Sequence, residues 1–342
     1  MKKRILITGA AGFIGFHTCL KLLNDEYEVV GLDNLNNYYD IKLKLDRLKE
    51  LEKFKVNNIF KFEEIDLVNR DKLFNLFKKE NFEIVIHLAA QAGVRYSITN
   101  PEVYVNSNLV GFNNLLEACR YSNKIKNLIY ASSSSVYGGN KKVPFSENDN
   151  VDHPVSLYAA TKKANELFAH SYSHLFGIPS IGLRFFTVYG PWGRPDMAPF
   201  IFTKAIINKK PIQIFNNGNM SRDFTYIDDI TEIIIRLINK PPKANPYFNY
   251  SDPNPCSSWA PYQLFNVGNN SQISLLNFIE TLEEELKIKA IKEFKPMQKG
   301  DIQSTFAETC KIENYINYKP RTNLEFGIKN FVRWFKNYYK ID

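Results

Sequence analysis

The chain reads as an α/β protein, a doubly wound parallel sheet with a smaller α/β lobe attached. Three observations lead there. From Arg4 to about Phe186, short β-branched runs alternate with helical patterns, the order that gives parallel strands joined by crossover helices. A glycine-rich turn separates the first strand from the first helix. After Gly190 the texture changes, with Pro191, Pro195, Pro199 and Pro211 punctuating shorter elements, and prolines interrupt regular structure.

Strands are predicted at Arg4–Thr8, Glu28–Asp33, Ile84–Leu88, Leu128–Ser132 and Ile178–Arg184, where β-branched residues cluster. Amphipathic helices are predicted at Phe13–Leu23, Ile41–Leu51, Val103–Arg120 and Leu157–Leu175, so both faces of the sheet are covered. The helix Asp228–Leu237 and a strand near Leu264–Val267 are expected to return to the first domain. The domain plan is thus 1–186 with returning segments near 223–240 and 262–268, and a second lobe from 187–222 and 269–342. Pro241 to Pro261 is a proline-rich loop too polar for a core.

The 342 residues suffice for one large core and a smaller lobe. Cys19, Cys119, Cys256 and Cys310 show no metal spacing and read as reduced packing residues, so no metal is expected. The chain opens directly into a strand, without a signal peptide, and holds no membrane-length apolar run. A soluble, cytoplasmic protein is expected. The net charge of +8 comes from lysines scattered among asparagines, not from a stripe with interleaved aromatics, which argues against nucleic acid. A share of it suits an anionic small substrate.

Gly9-Ala10-Ala11-Gly12-Phe13-Ile14-Gly15 follows the first strand and opens the first helix. Two glycines let the backbone approach a diphosphate, the third lets helix and strand pack, and the helix N-terminus supplies N–H groups. Asp33 ends the second strand about twenty residues on. Its carboxylate would accept from both ribose hydroxyls and repel a 2′-phosphate, so NAD is expected over NADP. Asn34 follows it in the same turn. Asp66-Leu67 either meets the adenine edge or caps a helix. Leu88-Ala89-Ala90 offers small residues at the end of the strand Ile84–Leu88, and Asn108 either bonds a distorted helix beside the cofactor or is polar surface.

Tyr158 and Lys162 stand four residues apart on one helix face behind Ser156. A phenol is a poor base at neutral pH, so its pKa must fall, and a lysine cation with a positive nicotinamide would stabilise the phenolate. The run Ser132-Ser133-Ser134-Ser135 ends the strand Leu128–Ser132, where a hydroxyl can bond a reacting sugar oxygen.

These residues resemble the extended short-chain dehydrogenase/reductase family, the Rossmann-type group that includes nucleotide-sugar epimerases and dehydratases. The resemblance implies Tyr158 as catalytic base, Lys162 as its electrostatic partner and ribose ligand, and Ser133 as the assisting hydroxyl. It also implies Arg222 as the diphosphate clamp, unless that arginine pairs with Asp223 or Asp228. Finer segments resemble UDP-glucuronate 4-epimerases: Leu32 to Asp40, Ala92 to Ser97, Arg184 to Met197, and Met297-Gln298-Lys299-Gly300-Asp301. Many relatives carry Asn at the position of Thr187, and dehydratases carry an Asp-Glu pair where this chain has Ser134-Ser135.

The implied reaction is NAD-dependent 4-epimerisation of UDP-glucuronate to UDP-galacturonate through a 4-keto sugar, in the service of polysaccharide biosynthesis. UDP-glucose 4-epimerase, UDP-glucuronate decarboxylase and a silent NAD sensor are the alternatives. A β-keto acid loses carbon dioxide when its carboxylate aligns with the carbonyl π system, so the site must restrain that group. Ser134, Ser135 and Thr187 are the expected neutral restraint, with Arg95 or Arg194 as candidate charges, each of which could instead pack or bind nucleotide. Phe200 and the strand Pro211–Phe215 with Gln213 are expected to border uracil, Asp301 to meet the substrate, and the assembly to be a homodimer.

Overall fold

The computed structural model describes residues 3–54, 59–298 and 300–341, so Lys299 lies outside the described residues. In chain order the first elements are β1 (Arg4–Thr8), α1 (Phe13–Asn24), β2 (Glu28–Asp33), α2 (Ile41–Glu52), β3 (Phe60–Glu64), α3 (Arg70–Lys79) and β4 (Ile84–His87). Two single-turn helices, α4 (Tyr96–Thr99) and α5 (Pro101–Tyr104), lead through a π-helical turn at Val105–Val110 into α6 (Gly111–Ser122). Then come β5 (Asn127–Ser133), a 3-10 turn at Ser134–Tyr137, α7 (Leu157–Phe176), β6 (Ser180–Phe185), β7 (Thr187–Tyr189), α8 (Ala198–Ile207), β8 (Ile212–Ile214), β9 (Ser221–Tyr226) and α9 (Ile227–Ile238). The chain closes with β10 (Tyr262–Val267), β11 (Gln272–Ser274), α10 (Leu275–Leu286), β12 (Lys292–Phe294), α11 (Cys310–Ile316) and α12 (Leu324–Tyr339).

Seven strands form one parallel sheet in the order β10-β6-β5-β4-β1-β2-β3. Both faces are buried, as parallel sheets require. Along β1 the side chains alternate: Ile5 and Ile7 enter one core cluster and Leu6 the other. Helices α1 and α9 pack together over the first of these faces and α3 and α6 over the second. Beyond the sheet, β9 pairs in parallel with β7 and antiparallel with β11, and β8 pairs with β12.

The periodicity from Val103 to Arg120 predicts one helix, and the structure divides it. Asn108 is buried and its amide is spent on tertiary bonds: it accepts from the Gln91 N–H at 2.8 Å and donates to the Gln91 carbonyl and to Thr161, both at 3.0 Å. Asn165 donates to the Asn108 carbonyl at 2.6 Å, taking an acceptor from the helical ladder and accounting for the π turn. Ser156 begins α7 by accepting from the Ala159 N–H at 3.1 Å.

One buried ion pair fastens α7 to the sheet. Arg184 on β6 donates to both Glu166 oxygens, at 2.8 and 2.9 Å, and Ser132 on β5 donates to the same carboxylate at 2.7 Å. Arg184 also reaches the Tyr137 hydroxyl, which donates to Asn266 on β10 at 2.6 Å. The four cysteines are free thiols. Among the described residues no helix is long and apolar enough to cross a membrane, and no cluster of candidate ligands could hold a metal ion.

His87, at the end of β4, is buried, stacks on Phe112 at 4.9 Å and bonds Thr8 Oγ1 at 2.8 Å. Burial first, and then the Lys162 charge, pushes its pKa down to about 3 from 6.5. A lowered folded-state value means that the unfolded chain binds this proton more readily. The stability is therefore complete above about pH 6.5 and is lost as the pH falls below it. In His87→Gln, which can still meet Thr8, the loss of unfolding free energy between about pH 6 and 4 should be shallower by up to about 1.4 kcal/mol per pH unit. Denaturant titrations at several pH values measure this, and equal slopes would place the acid sensitivity elsewhere.

Candidate active site

The carboxyl ends of β1, β2, β4, β5 and β6 open into a cleft of about 400 Å³, the position where open parallel sheets take ligands. At its floor Gly9 adopts φ +74°, and a Cβ there would lie 2.7 Å from the Ala89 nitrogen. The Gly9 N–H donates to the Leu32 carbonyl at 2.7 Å, and the Gly12 N–H donates back to the Gly9 carbonyl at 2.9 Å. A Cβ on Gly15 would lie 2.0 Å from that same carbonyl, so the turn closes onto α1 only with glycine. Helix α1 starts at Gly12 without a side-chain cap, leaving the first N–H groups, from Phe13, Ile14 and Gly15, free of intrahelical partners at the cleft. That is a ready anion site.

Asp33 is buried beside this turn and accepts from the Ala11 N–H at 3.1 Å and the Leu35 N–H at 2.9 Å. Each oxygen keeps a lone pair for a further donor. Asn34 donates to Asp66 at 2.8 Å. Asp66 also accepts from the Val68 N–H at 3.0 Å and does not cap α3, which starts on Asn69. Leu67, Leu88, Ala89 and Ala90 line the same wall. Asn108 does not line the cleft: its side chain is the strut described above, fixing Gln91, which does.

At the other end of the cleft, Ser133, Tyr158 and Lys162 converge. Ser133 Oγ accepts from the Ser135 N–H at 3.1 Å. Burial raises the Tyr158 pKa, opposed by the nearby Ser133 hydroxyl and by the charge of Arg194. The lysine expected to lower it points elsewhere: Lys162 Nζ donates to the Ala131 carbonyl at 2.9 Å, and burial lowers its pKa to about 8. Ser134, Ser135 and Thr187 complete this end with small hydroxyls.

The arginines are committed within the protein. Arg194 lines the cleft but pairs with Asp196, Nε to Oδ1 at 3.0 Å, and Tyr38 donates to Asp196 at 3.0 Å. Arg95 follows Val94 at the cleft edge. It pairs with Asp301 at 2.9 Å and lies 4.9 Å over the Phe215 ring. Arg222 donates to the Ser221 and Gln303 carbonyls at 2.8 and 3.1 Å. Burial lowers its pKa, Asp301 raises it and Arg95 lowers it, so these three form one charged group. Asp223 is not its partner, since it accepts the Asn269 N–H at 2.7 Å and the Ala307 N–H at 3.2 Å.

Two expected contacts are displaced. Phe200 is 4 % exposed on α8 and packs on Phe335 of α12, ring centres 5.0 Å apart, so it is core and not cleft wall. Gln213 is the outward residue of β8, in register with Glu293 of β12. Conversely, Asn36, Tyr38, Lys44 and Met197 line the cleft without having been singled out. Three of them lie in or just after the segment Leu32–Asp40, and the spacing of Lys44 and Arg47 on one face of α2 was the available signal. Arg47 is fully buried and donates to the Ala11 carbonyl at 2.8 Å, the Tyr39 hydroxyl at 2.7 Å and the Trp192 carbonyl at 2.5 Å. With the Tyr38–Asp196 bond it ties the β2–α2 connection across the groove to the loop before α8.

A family model for the NAD dependent epimerase/dehydratase family matches residues 5–250. The chain belongs to this family. This epimerase/dehydratase-family chain is 53% identical to Protein CapI of Staphylococcus aureus, over 98% of this chain and 99% of that one. It is 46% identical to a probable UDP-glucuronate 4-epimerase of Rhizobium meliloti, over 98% of each. Among solved structures it is similar to the UDP-glucuronic acid 4-epimerase of Bacillus cereus in complex with UDP-glucuronic acid and NAD, with a TM-score of 0.86, 35% identity, and coverage of 98% of this chain and 100% of that one.

Proposed function

We propose that this protein is an NAD-dependent UDP-glucuronate 4-epimerase that forms UDP-galacturonate. The observation that carries the reading is the convergence of Ser133, Tyr158 and Lys162 in one cleft with a purely neutral hydroxyl cluster, Ser134, Ser135 and Thr187. The Bacillus cereus relative, solved with UDP-glucuronic acid and NAD, supports it.

The cleft suits NAD: a glycine cradle with no room for a Cβ, an uncapped helix N-terminus, and a carboxylate with free lone pairs. Gly9, Gly12, Phe13, Ile14 and Gly15 would hold the diphosphate, Asp33 and Asn34 the ribose, and Asp66 and Leu67 the adenine side. Leu88, Ala89 and Ala90 flank its path, and Asn108 fixes that wall from behind. When bound, NAD would supply a reversible hydride acceptor for the sugar C4 and a positive ring that favours the phenolate. Tyr158 takes the C4 hydroxyl proton, assisted by Ser133, and returns it after the 4-keto sugar has turned over. Lys162, bonded to the Ala131 carbonyl at the same end of the cleft, would donate to the nicotinamide ribose.

The 4-keto uronic acid keeps its carbon dioxide only while its carboxylate stays out of alignment with the carbonyl π system. Thr187, Ser134 and Ser135 can bond that anion without burying a second full charge. Arg194, tied to Asp196, contributes field and not a direct partner. Arg222 would exchange its bonds to the Ser221 and Gln303 carbonyls for the diphosphate of UDP, with the Arg95–Asp301 pair beside it. Phe200 and Gln213 have no part in this reading. The parallel sheet with its returning segments forms the NAD domain, and 187–222 with 269–342 forms the UDP-sugar lobe.

The protein is a cytoplasmic homodimer supplying nucleotide sugar for polysaccharide biosynthesis. The dimer reading rests on Tyr121 of α6 and Leu167 and Leu175 of α7, adjacent helices, which are 62, 57 and 65 % exposed. Such an outward apolar face suits a second copy. Sedimentation equilibrium should give twice the 39.6 kDa chain mass, and a monomer at micromolar concentration would overturn this assembly.

Chromatography after incubation with UDP-glucuronate and no added cofactor should yield UDP-galacturonate. UDP-xylose would indicate a decarboxylase, turnover of UDP-glucose alone a hexose epimerase, and no turnover a sensor. In Tyr158→Phe the yield should fall by several orders of magnitude with NAD still bound. Thr187→Val keeps the shape and deletes one hydroxyl. It should lower epimerase efficiency by about ten- to a hundredfold, leave UDP affinity unchanged, and release a trace of UDP-4-keto-pentose. Equal weakening of UDP alone would reassign Thr187 to the nucleotide or the fold.

A further inference from the structure

Helix α2 turns Leu43, Leu48 and Leu51 into the core, yet on its inner side it also buries two cations a single turn apart. Lys44 is 4 % exposed and Arg47 is fully buried. Lysine is rarely buried without an ionic partner, because desolvating an ammonium is costly. Lys44 Nζ donates to the Asn36 carbonyl at 2.8 Å and to Asn36 Oδ1 at 2.9 Å, both neutral oxygens of one residue, and it lies 5.0 Å over the Tyr39 ring. An ammonium has three N–H donors. The partners of Arg47 are likewise neutral oxygens. Like charges held this close, with no carboxylate bonded to either, make a pocket wall that an anion would relieve.

The wall faces the cofactor groove, for Lys44 lines the cleft with Gly9, Gly12, Asp33, Asn34 and Asn36. Burial lowers the Lys44 pKa, the Asp33 charge raises it, and Arg47 and Arg194 lower it, so Asp33 is the anion that it senses. Arg47 grips the Ala11 carbonyl inside the glycine turn, which fixes the height of α2 over that turn. We propose that Lys44 is a cofactor-binding residue whose ammonium donates to the ADP half of NAD, opposite the uncapped start of α1. The proposal rests on the reading that the cleft takes NAD, and it adds a contact to it. The glycine turn would hold the diphosphate from below and Lys44 from above, with Asn36 steering the side chain.

The test is calorimetric titration of the full chain, freed of bound nucleotide, with NAD, ADP and UDP. Lys44→Met should weaken NAD and ADP by the same factor, about ten- to a hundredfold, and leave UDP unchanged, while Lys44→Arg should restore most of the affinity. The melting temperature of the nucleotide-free protein should not fall, because removing a buried charge spares its desolvation. An NAD affinity within twofold of wild type, a loss for NAD without one for ADP, or an equal loss for UDP would each overturn the assignment. Should Lys44→Met not fold, the same titrations on Lys44→Gln decide. Wild-type protein that binds neither NAD nor ADP would instead overturn the reading of the cleft.

Discussion

Glu166 lies on α7 one turn beyond Lys162 and two beyond Tyr158, and its carboxylate takes bonds from Arg184 on β6 and Ser132 on β5. Both charges are buried, at 1 and 0 % exposure. Such a pair adds little stability against an apolar substitute, yet removing one member leaves a bare charge and costs about 3–5 kcal/mol. Its value here is direction. A helix resting on a sheet through leucines can slide or roll by a fraction of a turn, whereas a bidentate pair with a third donor fixes both. The Tyr137–Asn266 bond carries the same constraint to β10, so α7 and three neighbouring strands share one polar frame. Ser133 lies one residue after Ser132, and its place opposite Tyr158 follows from that frame.

The chemistry proposed at Tyr158 then depends on fields and not on one neighbour. Burial opposes ionisation of the phenol, while Ser133 and Arg194 favour it. Lys162 is itself held near its titration range by burial, on the Ala131 carbonyl. Ionising either group alone is therefore costly, and bound charge alters both together. The wall with Ser134, Ser135 and Thr187 is the opposite design, with hydroxyls and no acid.

Much of this was legible in the chain because local signals and tertiary demands agreed. The glycine turn, Asp33 and the Tyr158/Lys162 spacing each sit at an element boundary whose geometry is set by backbone sterics, and sequence reports such sterics well. The π turn was not legible, since Asn165 seeks the Asn108 carbonyl across 57 residues and periodicity carries no trace of that. Phe200 and Gln213 were misplaced for a related reason. An aromatic near a proline-rich segment looks alike whether it faces α12 or a base, and a three-residue strand does not announce which of its sides is wet. Lys44 was passed over because a lysine in an amphipathic helix is ordinarily solvated, and only the packing of α2 over the glycine turn removes the water.

The ties across the groove, Arg47 to Trp192 and Tyr38 to Asp196, bear on what happens after a failed turnover. An enzyme that lends hydride and takes it back has no need to trade its redox partner with the cell, and a strapped groove makes such trade slow. If the ketone diffuses away early, that copy stays reduced, with nothing at hand to reoxidise it. Each lapse then removes a whole catalyst from the pool for as long as the straps hold. Selection on such a protein acts on how many cycles it completes before stranding at least as much as on how fast each one runs.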